Sequence, residues 1–236
     1  MQETARKRIY AADDEENIRR LIATYLTQAG YEVTTFPDGD SLLRQFMKDP
    51  CDLVVLDIMM PGRDGLQICS LIREQSKVPI VILTAKESDM DYMTGLSLGG
   101  DDYIIKPFRP SLFVMRVGAL LRRVDMEHQE EQKVEPELLT CGDITYSEAD
   151  QTVRTGGKNA GLTVTERALL RYLMENSGRA VSREEILGEV WGIHGEVETR
   201  VADETIRRVR KKLRNAGSRA NITAIWGFGY RLTFGE

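Results

Sequence analysis

Short continuous apolar runs alternate with longer segments of helical spacing along the first half of the chain. Leu53-Val54-Val55-Leu56 and Val78-Pro79-Ile80-Val81-Ile82-Leu83 have the length and composition of strands covered on both faces. Arg8–Ala12 and Asp102–Ile105 read as two more strands, and Tyr31–Phe36 alternates as a fifth. Between them, Ile18, Leu21, Ile22, Tyr25 and Leu26 recur at helical spacing over Asn17–Ala29, and Gly30 stops that helix. Further helices are predicted over Ser41–Lys48, Gly65–Glu74, Ser88–Leu98 and Pro110–Arg123. Five strands alternating with five helices predict an α/β doubly wound parallel five-stranded sheet of flavodoxin-like type.

Polar residues interrupt this pattern at particular places. Asp13 and Asp14 follow the first strand, Asp57 ends the third, Thr84 ends the fourth and Lys106 follows the fifth. The carboxyl ends of parallel strands share one edge of the sheet, where open α/β sheets bind ligands. A single carboxylate there could simply cap the next helix, but five residues on four strands point to a functional cluster. Three carboxylates in one pocket repel one another unless a cation neutralises them. Oxygen donors without a His/Cys cluster suit a hard cation, Mg²⁺, and argue against zinc. A carboxylate beside such a cation can attack a phosphoryl group, with the Lys106 ammonium and Thr84 hydroxyl receiving the phosphoryl oxygens.

The second half changes pattern. Leu138 to about Thr155 alternates weakly between turn residues, predicting short antiparallel strands, with Leu162-Thr163 closing the sheet. Thr165 is expected to cap a helix over Glu166–Asn176, which Gly178 ends. Ser182-Arg183-Glu184-Glu185 is a capping box at the start of a helix over Arg183–Trp191. A third helix, about Arg200–Asn215, buries a stripe of Ile206, Val209 and Leu213. It carries Arg200, Arg207, Arg208, Arg210, Lys211, Lys212 and Arg214 against only Asp203 and Glu204. Such a helix is either a solvated charged surface or a reader of DNA phosphates and guanine edges. Ile222–Ile225 and Tyr230–Phe234 flank Trp226-Gly227-Phe228-Gly229 as a β-hairpin, so three helices and a hairpin predict an α+β winged-helix domain.

Composition refines this picture. The formal charge of −5 taken alone argues against nucleic acid, but it averages two unlike halves. Residues 136–236 carry 15 Lys/Arg and 14 Asp/Glu, leaving 17 and 23 on the remainder, so an acidic half precedes a near-neutral one. Three cysteines, Cys51, Cys69 and Cys141, are widely spaced without a CxxC, the usage of a cytoplasmic protein with reduced thiols. There is no apolar leader at the N-terminus and no apolar run long enough for a membrane span, so no membrane role is expected. Charged residues over Val124–Pro136 without an apolar period predict a solvated tether. The expected division is residues 1–123, a linker at 124–136, and 137–236.

Asp13-Asp14, Leu56-Asp57-Ile58-Met59-Met60-Pro61-Gly62, Thr84-Ala85 and Lys106-Pro107-Phe108, in this order and spacing, resemble the receiver domain of bacterial response regulators over about residues 6–123. The resemblance implies that Asp57 accepts a phosphoryl group from a sensor histidine kinase. It implies that Asp14 ligates Mg²⁺ directly and Asp13 through water, with Asp57 and the Met59 backbone carbonyl completing the protein ligands. Thr84 and Tyr103 would be the switch pair, and Lys106-Pro107 would be cis. Regulators of this type usually carry a basic residue where Tyr92 stands and Glu where Leu112 stands, a pair that bridges a dimer. Asp101, Asp102, Arg116, Arg122 and Arg123 remain for the other pairs of that face, and an apolar contact is expected to replace the lost one.

Leu162-Thr163-Val164-Thr165-Glu166, Val190-Trp191-Gly192, Arg208–Leu213 and Gly227-Phe228-Gly229-Tyr230-Arg231 resemble the effector domain of the OmpR/PhoB family over about residues 138–235. This implies double-stranded DNA as partner, with Arg208 as base contact and Arg200, Arg207 and Arg210 on phosphates or in internal ion pairs. Thr205, Lys211, Trp226 and Arg231 lie on the same expected surface. The loop Gly192–Thr199 would face RNA polymerase. Thr205 stands where the family often has His, and Trp226 where a wing Arg reaches the minor groove. Trp226 is expected to pack in the hairpin rather than against sugars.

The combined expectation is a transcription factor, not an enzyme, that forms a homodimer when Asp57 is phosphorylated. Two alternatives remain: a DNA-binding regulator independent of phosphorylation, and a Mg²⁺-dependent phosphohydrolase. The latter lacks an acid/base where Met59 stands.

Overall fold

Leu53–Asp57 forms a strand with every residue buried, and it is the centre of the first unit. In the computed structural model, described for residues 6–85, 99–130, 138–193 and 200–234, the chain divides into two compact units, Met1–Leu121 and Arg122–Glu236. The first contains a five-stranded parallel sheet of order β2-β1-β3-β4-β5, made of β1 (Arg8–Ala12), β2 (Glu32–Phe36), β3 (Leu53–Asp57), β4 (Ile80–Thr84) and β5 (Asp102–Ile105). Successive residues of a strand point to opposite faces, and the two cores follow that alternation. Val54, Leu56, Ile80 and Ile82 pack with Phe46 and Ile68, from α2 (Gly39–Lys48) and α3 (Gly65–Arg73). Leu53, Val55, Val81 and Leu83 pack on the other side with Ile22, Leu26, Phe113 and Val117, from α1 (Glu16–Gln28) and α4 (Pro110–Glu130).

The helix expected over Ser88–Leu98 lies outside the described residues. Helix α4 continues to Glu130, so the expected tether begins as helix. Its Glu, Gln and Met residues are good helix formers, and no proline interrupts before Pro136.

The second unit opens with a four-stranded antiparallel sheet: β6 (Leu138–Cys141), β7 (Ile144–Ser147), β8 (Thr152–Thr155) and β9 (Lys158–Asn159). The closing strand is therefore Lys158–Asn159, earlier than the expected Leu162-Thr163. Helix α5 (Val164–Glu175) begins two residues sooner than expected because Thr163, not Thr165, is its N-cap. The Thr163 amide donates to Glu166 Oε2 at 2.9 Å. Strand β10 (Val181–Ser182) leads into α6 (Arg183–Trp191), where Ser182 and Glu185 form the expected capping box. Helix α7 (Arg200–Ala216) precedes the hairpin β11 (Ala220–Ile225) and β12 (Gly229–Phe234), which pairs with β10 to complete the winged-helix arrangement. Leu169, Leu173, Trp191, Ile206, Val209, Leu213 and Ile222 are its buried core.

Candidate functional site

The ends of β1, β3, β4 and β5 bring Asp13, Asp57, Thr84 and Lys106 to one edge of the sheet. Asp13 is fully buried, Asp57 is 2% exposed and Thr84 is buried, whereas Asp14 is open to solvent. The loop after β3 is held close. The Gly65 amide bonds to the Ile58 carbonyl at 3.1 Å, and a Cβ at Gly65 would lie only 2.0 Å from the Asp57 carbonyl oxygen. Glycine is thus needed for α3 to start directly against the Asp57 strand.

The Lys106 ammonium sits 2.7 Å from Asp13 Oδ2, 3.1 Å from Asp57 Oδ2 and 3.5 Å from Glu15 Oε1. The Lys106 amide donates to the Thr84 carbonyl at 2.7 Å, and Lys106-Pro107 is cis. Burial pushes the Asp57 carboxyl up to about 6, reinforced by Asp13 and only partly offset by Lys106. Burial likewise raises Asp13 despite Lys106. Burial alone would lower Lys106, but the two carboxylates overcome it and hold the ammonium above its ordinary value.

One oxygen of each of Asp13, Asp14 and Asp57 lies within 4.8 Å of the others. Asp57 Oδ1 is buried and has no hydrogen-bond partner among the described residues. An oxygen-only donor set with an orphaned carboxylate oxygen fits a hard divalent cation such as Mg²⁺. Met59 is 69% exposed beside this edge. Tyr103 is 3% exposed, and a Cβ at Gly100 would lie 2.7 Å from its hydroxyl, so the ring lies inward.

The expected dimer face is only partly available. Asp101 is fully buried, accepting from the Ile80 amide at 2.9 Å and pairing with Arg73 at 2.5 Å. Asp102 is also fully buried, 3.2 Å from Arg116, whose guanidinium additionally donates to the Tyr103 carbonyl at 2.9 Å. Within the chain, Asp102 and Arg116 tie β5 to α4 and Asp101 ties the start of β5 to β4 and α3, because buried charges require partners where they stand. Leu112 is half-buried and Arg122 exposed. Tyr92 lies outside the described residues.

Helix α7 departs further from expectation. Arg208 is 3% exposed, with Nε 3.5 Å from Glu166 Oε1 and its guanidinium donating to Thr205 Oγ1 at 3.1 Å. Thr205 is fully buried and donates to the Val201 carbonyl at 2.8 Å. Neither residue reaches the outer surface. Glu166 on α5 is fully buried, and it draws in Arg208 and, at 2.6 Å, Lys212. Arg207 pairs with Glu204 at 2.5 Å, and Arg210 donates to the Ile222 carbonyl at 2.6 Å. Lys211 and Arg214 are the exposed cations among the described residues of this helix. Arg231 lies on β12 opposite Thr223. The Arg200 side chain and residues 194–199 of the loop expected to face polymerase lie outside the described residues.

Two features escaped the sequence reading. Glu166 anchors α7 through Arg208 and Lys212; it had entered only as part of the effector-domain motif, and an acid among the apolar residues of α5 was the signal for this role. Arg183 was the other: its guanidinium and that of Arg210 lie 5.1 and 5.5 Å from the Tyr230 ring centre. Asp203 accepts from both Arg183 at 2.8 Å and the Tyr230 hydroxyl at 2.7 Å. Trp226 is 99% exposed at the hairpin tip, contrary to the expectation that it packs, because the turn projects beyond the sheet that could cover it.

Two family models match the chain: "Response regulator receiver domain" over residues 9–117 and "Transcriptional regulatory protein, C terminal" over residues 157–232. The "Probable transcriptional regulator ycf27" of Galdieria sulphuraria is 41% identical over 228 residues, 95% of this chain and 89% of that protein. The "Transcriptional regulatory protein ResD" of Bacillus subtilis is 34% identical over 238 residues, covering 100% of this chain and 99% of the relative. "Response regulator ArlR" of Staphylococcus aureus is 38% identical over 222 residues, 94% of this chain and 97% of that one. A solved mutant of RitR superposes with a TM-score of 0.73 at 26% identity, covering 97% of this chain and 100% of that one.

Proposed function

This chain belongs to the response regulators of the OmpR/PhoB type, and we propose that its activity as a phosphorylation-activated transcription regulator runs through Asp57. The single observation that carries this reading is the environment of Asp57: a buried carboxylate with one unpartnered oxygen, 3.1 Å from a lysine, at the sheet edge where ligands bind.

A phosphohistidine of a sensor kinase is the proposed donor. The ionised Asp57 carboxylate attacks phosphorus, the P–N bond breaks, and the imidazole leaves with the electron pair. Asp13, Asp14, Asp57 and the Met59 carbonyl would hold Mg²⁺, which when bound supplies positive charge to the phosphoryl oxygens. Lys106 contributes a second positive charge from its place between Asp13 and Asp57. The new phosphoryl group adds about two negative charges. The Thr84 hydroxyl turns toward it, and the buried ring of Tyr103 is held inward behind Thr84. That change favours a homodimer, for which Tyr92, Leu112 and Arg122 remain the expected contacts. The dimer presents two copies of α7 to neighbouring half-sites of double-stranded DNA in the cytoplasm, with the loop before α7 toward RNA polymerase. On each copy, Lys211 and Arg214 meet phosphates first.

Acetyl phosphate with Mg²⁺, applied to the full chain and to Asp57→Asn, tests this. Stable label on the wild type only, with tighter binding to a duplex recovered from random DNA, is expected. Equal DNA binding by both proteins, before and after treatment, sinks the switch. Rapid turnover of many phosphomonoesters would favour a phosphohydrolase instead.

A further inference from the structure

The three carboxylates at the sheet edge are not held alike. Asp57 closes β3, which is paired on both sides by β1 and β4. The Asp13 carboxylate is fixed from two directions, by the Lys106 ammonium at 2.7 Å and by the Glu15 amide, which donates to Oδ1 at 3.0 Å. The Asp13 amide in turn donates to the Phe36 carbonyl at 3.2 Å. Asp14 is open to solvent and lies beyond the end of β1, so its place depends on the loop between β1 and α1.

One side chain ties that loop. Arg19, half-buried on α1, donates from its Nη1 amino group to the Asp13 carbonyl at 2.7 Å and to the Asp14 carbonyl at 2.8 Å. An amino group with two hydrogens has one for each oxygen. Each carbonyl fixes the plane of its own peptide. The φ and ψ of Asp14 are the torsions between those two planes, so the clamp sets the direction in which the Asp14 side chain leaves the loop. Helix stability does not ask for this placement. Arg19 stands four residues after the N-cap Glu15, near the positive end of the helix dipole, where a cation is disfavoured. Its neighbour Arg20 behaves as an ordinary surface arginine and pairs with Glu16 one turn back at 2.5 Å, with both side chains exposed.

We propose that Arg19 is a positioning residue for the cation site: by clamping the peptide planes on either side of Asp14, it aims that carboxylate at the edge shared with Asp13 and Asp57. This role rests on the phosphoacceptor reading of Asp57 above. A role through charge alone has the opposite sign. A guanidinium near the site repels a divalent cation, so its removal would strengthen cation binding. Removal of a clamp weakens it, because groups that orient metal ligands change affinity roughly 10- to 100-fold. The low end, about tenfold, is expected here, since Asp13 and Asp57 keep their own anchors.

The test is calorimetric titration of the full chain with Mg²⁺ near neutral pH, with hydrogen exchange in EDTA alongside. Arg19→Met removes both clamp and charge and should weaken Mg²⁺ binding about tenfold. Arg19→Lys keeps the charge, but its Nζ stands where the arginine has Cζ, one atom short of both carbonyls, so it should weaken binding as well. Arg20→Met removes an equal charge at the next position and should bind as the wild type does. In EDTA the Glu15 amide should exchange faster in both Arg19 variants while the amides of β1 do not change. Unchanged or tighter Mg²⁺ binding by Arg19→Met overturns the proposal, and so does wild-type affinity in Arg19→Lys. Equal acceleration of the Glu15 and β1 amides also overturns it, by assigning Arg19 to general stability. A wild type that binds no Mg²⁺ and takes no label at Asp57 from acetyl phosphate overturns the phosphoacceptor reading itself.

Discussion

Asp57→Asn should stabilise the first unit at neutral pH when divalent cations are removed. The wild-type carboxyl is 2% exposed and titrates at about 6 instead of its ordinary 3.8. Burial is the main cause, so ionising this group in the folded protein carries a cost that the unfolded chain does not bear. A gap of about two pH units corresponds to about 3 kcal/mol. The folded state holds the Asp57 proton more tightly than the unfolded state. The cost is therefore absent below the unfolded value, grows between 3.8 and about 6, and is complete above that. The neutral amide avoids it, although its own buried NH₂ needs a partner, so a gain of about 1–3 kcal/mol is expected at pH 7.5. That corresponds to roughly 3–10 °C in Tm for a unit of this size. At pH 4 the gain should fall below about 1 kcal/mol. Calorimetry in EDTA measures it. Both tryptophans lie in the second unit, so the transition silent in tryptophan fluorescence belongs to the first. Added Mg²⁺ should stabilise the wild type more than the variant and narrow the difference. A destabilised variant at pH 7.5, or an equal gain at pH 4 and 7.5, would refute the reasoning.

Other outcomes follow from the same contacts. Mg²⁺ affinity, measured by isothermal titration, should fall as pH drops through 6 and approach about tenfold per pH unit below about pH 5, because a proton competes at Asp57. A flat profile would place the cation elsewhere. Glu166→Gln leaves Arg208 and Lys212 without their buried counter-charge and should cost about 3 kcal/mol in urea unfolding followed by tryptophan fluorescence. Arg208→Ala should lower the stability of the second unit and barely move the salt slope of DNA binding, whereas Lys211→Ala should do the reverse. A slope change confined to Arg208→Ala would restore that residue as a direct DNA contact.

The order of the strands and of the described helices in the first unit was legible in the chain, because a buried strand must be apolar along its whole length and a half-buried helix must repeat its apolar residues every three or four positions. The edge cluster was legible for a related reason: polar residues that close four apolar strands of a parallel sheet meet wherever the sheet ends. The Ser182 capping box and the Ile206, Val209 and Leu213 stripe follow from equally local rules. Periodicity shows which residues share a face, but not what lies opposite that face. Glu166, far away in sequence on α5, decided that Arg208 turns inward while Lys211 stays out. Neighbouring strands and helices decided that Asp101, Asp102 and Arg116 are spent within one chain. Trp226 looked apolar enough to pack, yet the projection of its turn leaves no wall for it. The same holds for Asp57: its position at the end of β3 was written in the chain, but its raised affinity for a proton comes from burial and from the balance of Asp13 against Lys106. Charge pairing and desolvation depend on groups brought together from distant segments, and only the folded arrangement determines them.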